Sequence, residues 1–397
     1  MTDNRPELRF RPNKSPQRIR HGFPWAYDNE VVTDRRTKKI APGTIVDLLD
    51  NERNFVAQAA FHPDSKIAAR VLERDRAVQI DAKWLEAKLR FARDHRDRMF
   101  DTPFYRLIHA EADGLPGLII DRFGDVFAVQ PNAAWIENLL PALQNALKAV
   151  FDAPVIIKNA SGRARGLEGL SEETVVMEGS VDGPIPVQMN GATYMADVLG
   201  GQKTGLFYDQ RPNHAFAAKL AKGGDVLDVF SHVGGFSLAA LAGGATRATA
   251  VDGSAAALEL ATKGAAASGY EAAFDTIKGD AFEVMTKLAD EGRSFDVVVC
   301  DPPAFAPAKP ALQAGLRAYE KVARMGAALV RPGSYLVLCS CSHAADLSSF
   351  RQASLRGVGK GGRTGQIVYT GFAGEDHPVH PQLAETAYLK SIFLRLE

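Results

Sequence analysis

Several side chains in the second half of this 397-residue chain have types and spacings that could do chemistry. Asp228, in VLDVFSHVGGFSLAAL, stands just before a Gly234-Gly235 pair and an apolar helical run. Small residues at such a turn let a backbone approach a ligand closely, and the helix N-terminus behind them can meet a carboxylate. The pattern is not G-x-G-x-x-G, which disfavours a dinucleotide site. Asp252, in ATAVDGS, follows 24 residues after Asp228. An acid there can accept hydrogen bonds from both hydroxyls of a ribose. Asp280, in IKGDAFEVM, is placed to accept from an adenine amino group. Any one of these acids could equally be a loop carboxylate or a helix cap. All three in register call for a ligand with an amino-acid end, a ribose and an adenine, the parts of S-adenosylmethionine.

Two further elements point at an acceptor. FDVVVCDPPAF carries Asp301-Pro302-Pro303, and prolines without N–H donors stiffen a loop that can hold a carboxylate and a carbonyl toward a planar base. Phe305 could stack on that base or simply pack. LVLCSCSHAADLSSF carries Cys339 and Cys341. Cys300 and Cys339 each sit inside an apolar run and read as small core residues, whereas Cys341 falls where a strand gives way to a loop and reads as the reactive thiol. Thiolate addition at carbon 6 of a pyrimidine makes carbon 5 nucleophilic enough to take a methyl group, after which a base removes the carbon 5 proton and the thiol leaves. Asp301, sharing a proton with ring nitrogen 3, would stabilise the adduct and suits cytosine.

These residues need elements to position them. From Gly224 onward, apolar strands alternate with helices: DVLDVF, ATAVD, FDVVVCD and SYLVLCSCS against FSLAALAGG, AAALELATKGAAASG and GLRAYEKVARMGAALV. Such alternation specifies a doubly wound α/β sheet with ligands at the carboxyl ends of its strands. Upstream, short apolar runs broken by turns roughly every ten residues, TIVDLLD, NFVAQAAF and KIAARVL, read as a small β-rich module. DAKWLEAKLRFARDHRDRMF places Trp84, Leu85, Leu89 and Phe91 near helical spacing, an amphipathic connector. Strands around Gly114, Pro116, Gly117 and Gly124, a helix WIENLLPALQNALKAV and the strand PVIIK form a central part. The expected modules are residues 1–78, 79–188 and 189–397.

Composition narrows the class. Hydrophobic residues make up 46% and charged residues 24%, ordinary globular values that exclude a fibrous or wholly disordered chain. The net charge is zero, yet residues 1–100 hold 21 Lys and Arg against 15 Asp and Glu, leaving 26 against 32 in the rest. A basic front module suits a polyanion, although solvated faces alone could produce the asymmetry. Within it, Arg18, Arg20, His21, Phe23, Trp25 and Tyr27 interleave cations and rings, as proteins that read single-stranded RNA do; Phe23 and Trp25 could equally be core. Three cysteines without framework or zinc spacing imply a reducing compartment and no metal. With no apolar h-region at the N-terminus and no membrane-length apolar run, the expectation is a soluble cytoplasmic protein.

QKTGLFYDQRPN, VLDVFSHVGGFSLAAL, FDVVVCDPPAF, SCS and the terminal DHPVHPQLAETAYLK together resemble the bacterial cytosine-5 methyltransferases that act on 23S ribosomal RNA. RIRHGFPWAYDNEV resembles a PUA RNA-binding domain, and EADGLPGLIIDRFGD that family's central domain. The resemblance spans nearly the whole chain. It implies a Rossmann-like class I methyltransferase domain, α/β, preceded by a small β-rich PUA-like domain and a central α+β domain. It implies S-adenosylmethionine as cofactor and 23S ribosomal RNA as partner, with neither membrane nor metal, and leaves a homodimer open. By position, Cys341 is the nucleophile and Asp301 the base-contacting acid. Asp228, Phe230, Ser231, Gly234, Asp252 and Asp280 line the cofactor pocket. Lys203, Thr204, Phe207, Asp209, Gln210 and Arg211 form a strand-loop near cofactor and substrate, with Gln210 toward the cofactor and Lys203 and Arg211 toward RNA alongside Arg18, Arg20 and Trp25. From the residues alone that segment could also be a surface hairpin with Arg211 pairing a phosphate. The chain departs from the family at Ala304, commonly lysine, and at His232, commonly tyrosine; His232 reads as a loop residue shaping the pocket.

Two other functions fit parts of this pattern. Methylation of an exocyclic amine or ring nitrogen would use Asp-Pro-Pro-x-Phe and need no thiol. A non-catalytic RNA-binding assembly factor would keep the fold without binding the cofactor.

Overall fold

In the computed structural model, which describes residues 5–152, 154–161, 163–201 and 205–397, the chain divides into two units. One comprises Met1–Asp182 and Glu375–Thr386, the other Gly183–Gly374 and Ala387–Glu397.

The first unit is built on two sheets. Alternation in TIVDLL and FVAQAAF yields strands Thr44–Leu49 and Phe55–Phe61, reversed by a turn in which Asp50 Oδ1 accepts from the backbone N–H of Glu52 and Asn54. With Glu7–Arg9, Ala69–Glu73 and Trp25–Ala26 they make a five-stranded sheet over a core that includes Leu8, Val46, Leu48, Ala57 and Phe61. The other sheet runs Val175–Glu178, Val155–Lys158, Val126–Pro131, Leu118–Phe123 and Phe104–His109. Its central hairpin turns on Gly124, whose φ of 69° suits a two-residue loop.

Helix Ala82–Met99 packs into the core of this second sheet, with Tyr105, Leu118 and Phe127, and is started by Asp81, whose carboxylate accepts from Trp84 N. Trp84, Leu85, Leu89 and Ala92 are buried, but Phe91, expected on the apolar face, is 80% exposed. At 100° per residue it points about 120° away from the Leu85–Leu89–Ala92 stripe, so it cannot share that face.

Segment Glu375–Thr386, which the sequence runs through as part of the last module, belongs to the first unit. A buried polar network explains why. Arg96, 1% exposed, donates to both oxygens of Asp113 at 2.7 and 2.8 Å and to the Asp376 carbonyl at 3.0 Å. The Asp376 carboxylate in turn accepts from Arg106 N at 2.9 Å, and the His377 and His109 rings lie 4.9 Å apart. A buried guanidinium needs this many acceptors.

The second unit opens with the hairpin Ile185–Met189 and Ala192–Ala196, turned by Asn190-Gly191 with φ of 52° and 77°. Its main sheet has seven strands: β1 Asp225–Val229, β2 Arg247–Asp252, β3 Phe274–Lys278, β4 Phe295–Cys300, β5 Val330–Ser340, β6 Gly365–Gly371 and β7 Lys390–Leu396. Their order is β3-β2-β1-β4-β5-β7-β6; β1 to β5 are parallel, and β7 runs antiparallel between β5 and β6. The helices are α1 Arg211–Leu220, α2 Gly235–Ala242, α3 Ala255–Ala267, α4 Ala281–Asp290, α5 Leu312–Ala328 and α6 Leu347–Lys360. Val298, Cys300, Leu336 and Leu338 of the central strands are fully or almost fully buried against Tyr319, Val322 and Ala323 of α5. The order reverses between β1 and β4, so the crevice at their carboxyl ends is where a ligand belongs. No helix among the described residues is long and apolar enough to cross a membrane.

Candidate active site

The crevice is a cavity of 720 Å³ within the second unit, and it gathers residues from five strand ends. That volume suits a nucleoside-sized ligand.

At the end of β1, Asp228 is fully buried. Its Oδ2 accepts from both N and Oγ of Ser237, each at 2.9 Å, while Oδ1 is buried with no partner among the described residues. Burial pushes the Asp228 carboxyl up from 3.8 to about 6, opposed by the Ser237 bonds. The turn that follows is tightly wound: Phe230 and His232 take φ of 65° and 49° and Gly234 takes 79°. Two non-glycine residues in the left-handed region cost on the order of 1 kcal/mol each, strain of the kind that collects at binding sites. The turn is held by Ser231 N bonding to Val251 O and by His232 N bonding to Asp252 Oδ2 at 2.9 Å. Ser231 Oγ is buried without a partner among the described residues.

Gly234 and Gly235 divide the work assigned to them jointly. Gly235 lines the cavity; a Cβ there would sit 2.7 Å from the His214 ring. Gly234 lies behind it as the left-handed first residue of the turn into α2, where a Cβ would stand 3.2 Å from Ala261 Cβ.

Asp252, at the end of β2, receives His232 N on one oxygen and Ser254 N at 2.8 Å on the other. Asp280, two residues past β3, caps α4 by accepting from Phe282 N and Glu283 N on Oδ1. Asp280 thus caps a helix and also lines the cavity, on the same space as Asp228, Phe230 and Asp252.

Beyond β4, Asp301 N bonds to Val229 O, tying β4 to β1, and Asp301 Oδ2 accepts from Gln210 Nε2 at 3.0 Å. The Gln210 amide is oriented by Asn213, whose Nδ2 donates to Gln210 Oε1 at 2.7 Å. Gln210 thus reaches Asp301 as well as the cavity.

β5 ends at Ser340, and Cys341 is the first residue beyond it, half-buried and facing the cavity. Cys300 and Cys339 are buried, and burial drives both thiols well above their ordinary value. The serines flanking Cys341 are fixed from α5: Ser340 Oγ donates to Tyr319 Oη at 2.9 Å, and Tyr319 Oη and Ser342 Oγ share a bond of 2.7 Å. Ser342 Oγ also accepts from Ala306 N, which couples the Asp-Pro-Pro loop to the thiol's loop.

His214, Asp197 and Tyr388 line the cavity without having been singled out in the sequence. Tyr388 Oη donates to Asp209 Oδ2 at 2.5 Å. The terminal YLK motif was the available signal for Tyr388, but nothing local connects it to Asp209. Arg211 is not on the cavity wall; its guanidinium lies over the Tyr208 ring at 5.3 Å. Lys203 and Thr204 lie outside the described residues.

In the first unit, Phe23, Trp25 and Tyr27 form a tilted, edge-on cluster, all half-buried, with the exposed Arg18 stacked 4.2 Å over Phe23. Trp25 Nε1 donates to Glu111, and Arg20 sits apart, paired to Asp50 at 2.8 Å.

Residues 11–74 match the PUA-like domain family, and residues 140–357 match the S-adenosylmethionine-dependent methyltransferase family. The chain is 33% identical to a ribosomal RNA large subunit methyltransferase of Deinococcus radiodurans, covering 99% of this chain and 98% of that protein. It is 32% identical to ribosomal RNA large subunit methyltransferase I of Cronobacter sakazakii, covering 92% and 93%. A solved structure of a SAM-dependent methyltransferase from Streptococcus mutans superposes with a TM-score of 0.81 at 18% identity, covering 98% of this chain and all of that one, and so shares the fold.

Proposed function

Because the chain belongs to the S-adenosylmethionine-dependent methyltransferase family, among the ribosomal RNA large subunit methyltransferases, we propose that it methylates carbon 5 of a cytosine in 23S ribosomal RNA through a covalent Cys341 adduct. The observation that carries this reading is the meeting of Cys341 and Asp301 with the strand-end acids on one cavity.

The residues present fit the cofactor. Asp228 Oδ1 and Ser231 Oγ are buried acceptors without a donor among the described residues, which an amino-acid ammonium would supply, and Gly235 lines the same cavity. Asp252 is the acceptor for ribose hydroxyls and Asp280 for the adenine amine. When bound, S-adenosylmethionine supplies an electrophilic methyl group to carbon 5 of the target base.

The chain's own residues do the rest. The Cys341 thiolate adds to carbon 6, its electron pair forming the sulfur–carbon bond while the carbon 5–carbon 6 π pair becomes available at carbon 5. Asp301, aimed by Gln210, shares a proton with ring nitrogen 3 and takes up charge that develops there. Loss of the carbon 5 proton to a base then expels the thiolate. In the PUA-like domain, Arg18 holds a phosphate while Phe23, Trp25 and Tyr27 offer ring surface to unpaired bases, with Arg20 as a further cation; Lys203 and Arg211, in the methyltransferase part of the chain, add two more. The protein works in the cytoplasm.

The test is methyl transfer from labelled cofactor to protein-free 23S RNA, comparing the wild type with Cys341→Ala. Loss of transfer with cofactor binding retained is expected. Full activity of the variant would sink the covalent step, and failure to trap an adduct on fluorinated cytosine RNA would turn the reading toward amine or ring-nitrogen methylation.

A further inference from the structure

Lys390, the first residue of β7, is 4% exposed. Its Nζ donates to the carbonyls of Ser342 at 2.5 Å and Tyr388 at 3.0 Å, so the ammonium lies between the residue that follows Cys341 and a residue of the cavity wall. Two neutral carbonyls satisfy hydrogen bonds but not a charge, and a buried ammonium without a counter-charge is costly. Burial pushes Lys390 down to about 8, with Cys341 and Asp346 as the anionic partners that oppose this. Asp346 caps α6 by accepting from Ser349 N through Oδ1, and it is the exposed, more solvated partner of the two.

The other described groups placed around Cys341 are tyrosines, an aspartate, a cysteine and a histidine. Tyr319, from α5, is bonded to Ser340 and Ser342 and is pushed up by burial. Tyr388 is bonded to Asp209, and Asp301, at the end of β4, to Gln210. Cys339 is buried on β5, and His343 sits exposed with its ring 5.5 Å from that of Tyr388.

We propose that Lys390 is the counter-ion of a Cys341 thiolate, a positioning residue that holds the sulfur ionised near neutral pH. The inference rests on Cys341 being the nucleophile. In forming the pair the thiol gives its proton to solvent, the sulfur keeps the electron pair, and the ammonium keeps its three protons. Each charge then offsets the burial of the other, which an amide or hydroxyl at position 390 could not do.

Ultraviolet thiolate absorbance, titrated in the full chain and differenced between the wild type and Cys341→Ala, reads the Cys341 midpoint directly. It is expected about one unit or more below the ~8.5 of an ordinary thiol, and a midpoint at or above that value overturns the proposal. Lys390→Gln keeps a donor for the carbonyls and removes the charge. Cys341 alkylation by iodoacetamide near neutral pH, followed on its peptide, should slow about tenfold, the equivalent of one unit in the midpoint, while Lys390→Arg stays near wild type. Equal midpoints in the wild type and Lys390→Gln also overturn it. Should Lys390→Gln not fold, the wild-type titration decides alone. Neither readout involves RNA or methyl transfer, so their failure is separable from failure of the covalent mechanism.

Discussion

Replacing Asp228 with asparagine should make the empty protein more stable and the enzyme worse. The carboxyl is fully buried and its folded value is raised from 3.8 to about 6. A carboxyl raised in the folded state contributes stability that is fully present below 3.8 and lost as pH rises through about 6, because the unfolded chain gives up its proton first. Those two units correspond to about 3 kcal/mol. Asparagine keeps an oxygen for the two Ser237 bonds and has no proton to lose. The stability difference, variant minus wild type, should therefore grow by up to about 3 kcal/mol between pH 4 and pH 7, or roughly 6–12 °C in melting temperature for a unit of this size. Calorimetry on the same variant should show cofactor affinity reduced about tenfold or more, since a buried charge partner is gone. Thermal denaturation across that pH range without cofactor is the assay. A difference that stays flat with pH would refute the reasoning, because it would mean that Asp228 is not desolvated in the folded chain.

Three further outcomes are expected. Gln210→Ala removes the donor to Asp301 and should lower kcat in the methyl-transfer assay about tenfold to a hundredfold, the loss of one hydrogen bond to a charged group. Gly235→Ala should destabilise the protein by about 1–3 kcal/mol in urea denaturation, because its methyl carbon would stand 2.7 Å from the buried His214 ring. Arg96→Met strands Asp113 without its counter-charge at a cost of about 3–5 kcal/mol and should expose Glu375–Thr386 to protease cleavage, scored by mass spectrometry of limited digests.

The acids at Asp228, Asp252 and Asp280 were legible because each stands at or just past a strand end, the first two closing apolar runs and Asp280 following the short, more exposed FDTIK strand. Cys341 was legible for the same reason: a Ser-Cys-Ser segment after LVLC marks the point where β5 ends. Asp209, Tyr388 and Lys390 were not legible as a set. They come together only because β7 inserts beside β5, an antiparallel pairing of residues far apart in the chain that no window of sequence displays. Nothing in the sequence around His214 marked it, and the structure places it on the cavity wall against Gly235. The Glu375–Thr386 segment lies within the last expected module in sequence; its allegiance is decided by the buried Arg96 side chain and the backbone N–H of Arg106, hundreds of residues upstream.

The strand order bears on when the enzyme can become active during synthesis. β7 follows every other strand of the sheet in the chain, yet it is the piece that joins β6 to β5. A nascent chain that has emerged through β6 therefore holds that strand without a neighbour, and its Cys341 loop lacks both Tyr388 and Lys390. The residues just before β7 must also find their seat in the other unit, which asks that unit to have folded already. On the proposed mechanism methyl transfer waits for the last strand, and a chain truncated ahead of β7 would keep its strand-end acids while losing the ammonium beside the Cys341 loop.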